Sequence, residues 1–428
     1  MKVSLTYGRE KIELEIPKKN LADIIEPRNP DTIADVEHEL NRVLDNPHGE
    51  MLEDLSRGKS VCVLVEDHTR DEPHWELLST TVPRLRDATM VQFIVTTGSH
   101  EVKHTGNLEI VEMIHRAARS AKLENYDVVI NDCESEDVTD VGTTSRGTPV
   151  IINDAALGHE LYVALADMKA HYFAGYSNAL KDLLPGICAF DSIEANHSMA
   201  LDVNSTFGLH PYHPNKDRRN NPLADDMREA FEMITKDARV FTLSVISAGE
   251  EIVWADAGEV KPVIAGGIEI LDETTSFTVQ PTPKIVVSPG GYPQDKSLYH
   301  AQRGLELTKN AVMDGGDILF LAECRDGIGP GSAIENFYNK LTMPLNKVID
   351  SISEGYKLYQ HKAYKFAQLL KRVNSIDMYT KLEKDDVEAA HLNKVFNPQE
   401  TIDRWIEDDP NVKITVLDKA NKIAVYAS

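Results

Sequence analysis

Short apolar runs alternate with helical stretches along most of this chain, and that alternation predicts an α/β fold. Residues 1–16 alternate apolar and polar positions around Tyr7-Gly8, which predicts a hairpin. Ile33, Val36, Leu40 and Val43 recur at helical spacing, so Asp31–Leu44 reads as a helix started by Asn29-Pro30. The Val-rich run VCVLVED at 61–67 reads as a buried strand, with a helix opening at Pro73. Met90–Thr96 repeats the pattern, with a helix from about Leu108 to Ala118. Further strands are expected at 126–130, 149–152 and Glu160–Leu165. A helix at Leu223–Lys236, a strand at Arg239–Ile246 and a partner at 251–257 follow. The segment LDETTSFTVQPTP at 271–283 lacks a helical period and holds two prolines, which puts a domain junction there.

Beyond the junction, KIVVS at 284–288, the turn Pro289-Gly290-Gly291-Tyr292-Pro293, a helix from about Lys296 to Met313 and DILFLAE at 317–323 form a βαβ unit. The turn lacks the G-x-G-x-x-G of dinucleotide folds. Helices at Ser332–Leu341 and Lys362–Arg372 and a closing strand pair within 412–427 complete the chain. The expectation is two α/β domains, 1–275 and 276–428, with the active site in the cleft between them. Part of the last segment, from about 395, is free to return to the first domain.

Composition narrows the function classes. A length of 428 residues fits two or three domains at roughly 150 residues each. A formal charge of −24 argues against a nucleic-acid partner, which needs a basic stripe. It still allows a locally basic pocket for a small anion. The most basic patch is GLHPYHPNKDRRNNP at 208–222, with His210, His213, Lys216, Arg218 and Arg219. It reads either as an anion-contacting loop or as a solvated one. No apolar run is long enough to span a bilayer, and the start has no apolar signal region. Cys62, Cys133, Cys188 and Cys324 are scattered and form no CxxC pair, so a reducing, cytoplasmic setting is expected.

Candidate chemistry gathers just after predicted strands, where open α/β sheets bind ligands. The first strand ends in Asp67-His68-Thr69-Arg70 and the second in Thr97-Gly98-Ser99-His100. The strand ending near Leu165 runs into KAHYFAGYSNALKDLLPGICAFDSIEANH, 169–197. That stretch carries His171, Lys181 and His197, with Pro185-Gly186 breaking the chain after the lysine. A lysine among apolar neighbours suits covalent attachment, because desolvation frees its lone pair. Neutral imidazole is a common metal ligand.

These residues resemble the nickel-pincer lactate racemase family. The intervals of ten from His171 to Lys181 and sixteen from Lys181 to His197 match that family's catalytic histidine, cofactor lysine and nickel histidine. DHTR is present unchanged, and Gly98-Ser99-His100 stands where the family has Gly-Thr-His. Ser177-Asn178-Ala179 replaces its Ser-Gly-Gly, and Glu101 follows His100 where it has Arg. In GGYPQDKSLYHAQRG, 290–304, His300 and Arg303 occupy the positions of a family Gln and Lys that contact the substrate carboxylate.

The resemblance implies a 2-hydroxy acid racemase or epimerase. Its cofactor would be the nickel-pincer nucleotide, a pyridinium-3-thioamide-5-thiocarboxylic acid mononucleotide with Ni(II), bound covalently to Lys181 and ligated by His197. It also implies His100 and His171 as catalytic acid–bases, Asp67 and Thr69 as cofactor-binding residues, and Arg70, His300 and Arg303 as substrate-binding residues. Hydride would pass reversibly through a 2-keto acid, and cofactor-biosynthesis proteins would be partners. The departures at 300 and 303 leave the substrate open between lactate and another hydroxy acid, such as malate, 2-hydroxyglutarate or a sugar acid. Two rival classes remain: a zinc-dependent hydrolase using His100, His171 and His197, and a non-catalytic relative that binds the nickel cofactor or an anion.

Overall fold

A computed structural model describes residues 1–28, 30–70, 72–248 and 251–428. The chain forms two compact α/β units, Pro30–Glu273 and a second made of Met1–Asn29 with Thr274–Ser428. The expected division at 275 therefore needs correction at its front end, because the first residues belong with the last. The reason is strand pairing: Leu21–Ile25 runs parallel to Ile414–Leu417 and supplies the edge of the second sheet.

The Pro30–Glu273 unit holds a six-stranded sheet. Its spatial order is Glu251–Gly258, Arg239–Ala248, Leu161–Asp167, Ser60–Glu66, Met90–Thr96 and Tyr126–Ile130. All neighbours are parallel except the antiparallel edge strand Glu251–Gly258. Central strands of such a sheet are covered on both faces, so they read as continuous apolar runs rather than alternating ones. Val61, Val63, Val65, Phe93, Val163 and Leu165 are fully or almost fully buried in one core with Leu77, Leu78, Ile110 and Ile114 of the flanking helices. Chain order reverses between Ser60–Glu66 and Leu161–Asp167, which makes that pair the topological switch point.

The second unit repeats this plan. Asn393–Val395, Ser375–Tyr379, Val312–Leu321, Thr282–Val287, Ile414–Leu417 and Leu21–Ile25 form an all-parallel sheet, with its switch between Thr282–Val287 and Ile414–Leu417. The hairpin Lys2–Tyr7/Glu10–Glu15 forms as expected and packs here. Thr6 donates from its backbone N and from Oγ1 to Asp418 Oδ1 at 3.1 and 2.6 Å. Gly8 N donates to Asp295 Oδ2 at 2.7 Å, and Tyr292 N donates to Gly8 O at 2.6 Å. A Cβ on Gly291 would sit 2.6 Å from Gly8 O, and its φ is +69°. The glycine turn thus admits the chain's own hairpin rather than a phosphate.

Other differences are local. The first helix begins at Val36, capped by Asp35, and Asn29 lies outside the described residues. Pro149–Asn153 pairs with Val138–Thr143 as a separate hairpin instead of joining the sheet. A helix occupies Val260–Thr275, where the expected junction begins. Ile414–Leu417 and Ala424–Ala427 do not pair with each other; the latter pairs with Ser276–Val279. Among the described residues, no helix is long and apolar enough to cross a membrane.

Leu5, fully buried in the core that contains Val286, Leu319 and Trp405, ties the hairpin to the second unit. Leu5→Ala is expected to cost about 2–5 kcal/mol. Chemical denaturation checks this: a loss confined to a Pro30–Glu273 transition, with none in the second unit, would contradict the pairing.

Candidate active site

Three neighbouring strands at the first switch point deliver the chemistry to one sheet edge. Ser60–Glu66 leads into Asp67–Arg70, Met90–Thr96 into His100, and Leu161–Asp167 into the hairpin that ends its first arm at His171. All seven residues expected in the first domain's site, Asp67, Thr69, Arg70, His100, His171, Lys181 and His197, lie in this unit.

Asp67, whose side chain is 1% exposed, meets His100 Nδ1 through Oδ2 at 2.7 Å. Its Oδ1 accepts from Thr69 Oγ1 at 2.6 Å and from Thr69 N at 3.2 Å. Burial alone would raise the Asp67 carboxyl, but the His100 hydrogen bond and charge, with Arg70 and Thr69 behind them, hold it far below the usual range. Asp67 and Thr69, expected as cofactor contacts, therefore direct these side-chain bonds toward His100 and each other. Neither caps the next helix, whose N-cap is Pro73 with no side-chain bond. His68 anchors the loop: its Nδ1 and Asn107 Oδ1 are 3.0 Å apart, and its ring stacks on His104 at 3.6 Å.

Arg70 reaches into a nest of carboxyls. Its Nε lies 3.1 Å from Glu66 Oε1, while Glu66 Oε2 accepts from Asp167 N at 2.7 Å. Asp167 also pairs with Lys169 at 2.7 Å. Burial, then the negative charge of Glu66, raises Glu72 well above the carboxylate range. Burial pushes Glu66 upward too, but Arg70 and the hydrogen bond from Glu72 outweigh it, so the shared proton rests on Glu72. Asp182 is likewise raised by burial and by Glu66, against the opposing charges of Arg70 and Lys181.

The lysine loop is built on the short hairpin Lys169–His171/Gly175–Ser177. Gly175, at φ +77°, approaches Leu209 O so closely that a Cβ would lie 1.9 Å from it. Ala179 takes ordinary right-handed helical angles, so the position does not require glycine. Asn178 does what glycine could not: Oδ1 accepts from Leu180 N at 3.0 Å, and Nδ2 meets Tyr176 O and His210 Nε2, both at 3.1 Å. Lys181 follows on the turn Leu180–Leu183 and is 8% exposed. His197 projects from the helix Phe190–Ser198. Burial first, then the Lys181 charge, pushes its imidazole down to about 3, so it is neutral at physiological pH. Phe173 stands edge-on to both His171 and His197, with ring centroids 4.4 and 5.3 Å away.

Much of the basic 208–222 segment is packed against the protein, although Lys216 is exposed. His210 and His213 are 1% and 4% exposed. Arg218, His213 and Tyr176 converge on Asp272, with His213 Nε2 at 3.2 Å and Tyr176 Oη at 2.6 Å, and Arg218 forms an ion pair with it. Burial raises the Asp272 carboxyl, but these partners bring it below its ordinary value. The cluster clasps the lysine loop from behind. Sequence reading missed Asp272, Glu66, Glu72, Asp167 and Asp182; an acid directly before DHTR was the one available signal.

His300 and Arg303 lie on the helix Leu298–Thr308 of the second unit. His300 Nδ1 is 2.7 Å from Ser297 Oγ. Among the described residues, no three His, Cys, Asp or Glu side chains gather as a metal-binding group, so the three-histidine zinc site is not formed here.

A sequence model described as the lactate racemase N-terminal domain matches residues 7–208, and one described as the lactate racemase C-terminal domain matches residues 278–425. The chain belongs to the lactate racemase family. It is 29% identical over 362 residues to a lactate racemase of Thermoanaerobacterium thermosaccharolyticum, covering 82% of this chain and 81% of that one. It is 24% identical over 432 residues to a lactate racemase of Lactiplantibacillus plantarum, covering 97% of each. The structure of the lactate racemase apoprotein from T. thermosaccharolyticum superposes with a TM-score of 0.85 at 25% identity, over 100% of both chains. A Thermotoga maritima protein shares the fold alone, with a TM-score of 0.61 at 14% identity over 94% of this chain and 100% of that one. Racemases are isomerases, and so is this member of the lactate racemase family.

Two stability predictions follow from the buried charges. Folding raises the Glu72 pKa, so the folded state retains a proton that the unfolded state releases as pH climbs above the ordinary carboxyl range. Wild-type stability therefore falls with rising pH at this group. Glu72→Gln should raise Tm, with a gain that widens from pH 5 to pH 8; a constant or shrinking gain would refute the assignment. Asp272→Asn should cost about 1–3 kcal/mol by loosening the clasp. Limited proteolysis should then cut first within 208–219, whereas unchanged Tm and cleavage would show that the clasp carries no strength.

Proposed function

We propose that this chain racemises or epimerises a 2-hydroxy acid with a nickel-pincer nucleotide attached to Lys181. The observation that carries the reading is the opposite hydrogen bonding of the two histidines. His100 Nδ1 faces the Asp67 carboxylate, so Nδ1 holds the proton and Nε2 keeps an accepting lone pair. His171 Nδ1 instead accepts from Ala174 N at 3.2 Å, so its neutral ring carries the proton on Nε2. One ring presents a lone pair and the other an N–H, so His100 is set to take the hydroxyl proton and His171 to hydrogen-bond the oxygen that loses it.

The residues present fit the cofactor. His197 offers a neutral imidazole within electrostatic reach of a largely buried lysine, which suits a nickel donor beside a covalent anchor. Lys181 would hold the nucleotide and His197 the metal. When bound, the group supplies reversible acceptance of hydride from the substrate α-carbon.

The protein's part is proton handling and orientation. Arg70, braced by Glu66, holds the substrate carboxylate. His100 Nε2 takes the hydroxyl proton as the carbinol becomes a ketone, and Asp67 stabilises the resulting imidazolium. That imidazolium gives the proton back to the oxygen, while His171 Nε2–H donates a hydrogen bond to it; for the opposite enantiomer His171 serves as the base from its other tautomer. The family resemblance alone proposes Arg303 and His300, on the helix Leu298–Thr308, as substrate-binding residues. The substrate is a small 2-hydroxy acid, and cofactor-biosynthesis proteins are the required partners. The four cysteines are free, which supports a reducing, cytoplasmic setting.

Deuterium at the substrate α-carbon tests the reaction. Racemisation in ordinary water should retain the label in both enantiomers, because hydride does not exchange with solvent; its loss to water would indicate proton abstraction from carbon and overturn the mechanism. Asp67→Asn should present an amide to Nδ1, disturb the His100 tautomer and lower kcat by about 10²–10⁴, with a smaller change in KM. A kcat within threefold of wild type would remove Asp67 from the orienting role.

A further inference from the structure

The N-terminal hairpin and the strand ends of the second unit line a cavity of about 360 Å³. All of its walls belong to this unit, so it shares no residue with the Lys181 site. Its volume falls within the roughly 300–1,000 Å³ range of small-molecule sites. Part of the lining comes from the carboxyl ends of three neighbouring parallel strands. Glu323 follows Val312–Leu321, Tyr379 closes Ser375–Tyr379 and Val395 closes Asn393–Val395. Open α/β sheets bind ligands at such ends. The hairpin adds Tyr7, Arg9 and Glu10.

The whole chain carries 69 acidic residues against 45 lysines and arginines. The cavity reverses that balance, with Arg9, Arg325, Lys381 and Lys394 set against Glu10 and Glu323. Glu323 is 4% exposed and pairs with Lys381 at 2.5 Å and with Arg325 Nε at 3.1 Å. One buried carboxylate thus fixes two of the cations in place. The other two are held by rings. The Arg9 guanidinium lies 5.0 Å from the centre of Tyr292, and Lys394 Nζ lies 5.4 Å from that of Phe396. Cation–π contact positions a charge without neutralising it. Four cations over two acids leave an excess of two positive charges. A phosphate monoester, at about −1.5 to −2 near neutral pH, balances that excess, and a single carboxylate does not.

Rings complete the lining. Tyr7 and Tyr379 meet with their centroids 5.0 Å apart, and Phe396 is 75% exposed. An aromatic ring open to solvent beside a cation is a stacking surface for a nucleobase, because every base has a π-face. We propose that this cavity binds a nucleoside monophosphate, with the phosphate received by the four cations and the base stacked on Phe396. The guanidinium forks of Arg9 and Arg325 suit phosphate oxygens. The site belongs to the second unit alone and stands independently of the racemase reading.

Titration calorimetry of the full chain with AMP, inorganic phosphate and adenosine tests this. AMP should bind about tenfold more tightly than either fragment, or better, since it alone engages both the cations and the ring. Phe396→Ser should weaken AMP about 5- to 100-fold, the worth of one stacked base, and leave phosphate unchanged. Phe396→Tyr keeps a ring and should keep the wild-type affinity. Arg9→Gln should weaken AMP and phosphate alike, by about tenfold or more, the worth of a charged hydrogen bond. Arg9 and Phe396 are both exposed, so these substitutions spare the core. AMP bound no more tightly than phosphate would overturn the proposal. So would an AMP affinity that survives Phe396→Ser and Arg9→Gln, which would put the nucleotide on another surface. Neither result would bear on turnover at Lys181, which the deuterium experiment reads separately.

Discussion

Burying a carboxylate in a parallel sheet's crevice is costly unless each oxygen finds a donor, and the compensation of Asp67 organises much of this site. Its two oxygens engage His100 on one side and Thr69 on the other. That contact selects the tautomer of His100 and leaves Nε2 directed away from the acid. Behind it, Glu66 braces Arg70 close to the Asp67–His100 pair. Removing Asp67 or Glu66 would leave a buried cation or a donor short of its partner, which is why these groups act as a unit.

The two units solve one topological problem in two ways. Each has a parallel sheet whose chain order reverses near its centre, and each therefore has a crevice at the carboxyl ends of its strands. In the Pro30–Glu273 unit that crevice carries ionisable chemistry and the lysine loop. In the other unit the N-terminal hairpin packs there, with Gly8 and Thr6 bonded to Asp295 and Asp418.

Much of this was legible in the sequence where the signal is local. Runs such as VCVLVED and MVQFIVT can hardly be anything but buried strands, and polar clusters directly after them mark strand ends. The spacing of His171, Lys181 and His197 carried the family. What was not legible depends on distant partners. Nothing near Leu21 indicates pairing with Ile414, at the other end of the chain. The helix Val260–Thr275 is disguised by Pro262 and by Gly266-Gly267, poor helix formers. Gly267 is there for packing, since a Cβ would lie 2.4 Å from Met168 Sδ. With that helix hidden, Asp272 could not be seen as the centre of a clasp, and the basic loop looked free to meet an anion.

The central claim is that Lys181 and His197 together hold a nickel nucleotide. Intact mass and nickel content of protein co-produced with the cofactor-making enzymes test it most directly, with Lys181→Ala as the control. The account predicts an added mass mapped to Lys181, close to stoichiometric nickel, and loss of both in the variant. Absence of adduct and nickel, in cells where a known lactate racemase becomes loaded, would contradict it.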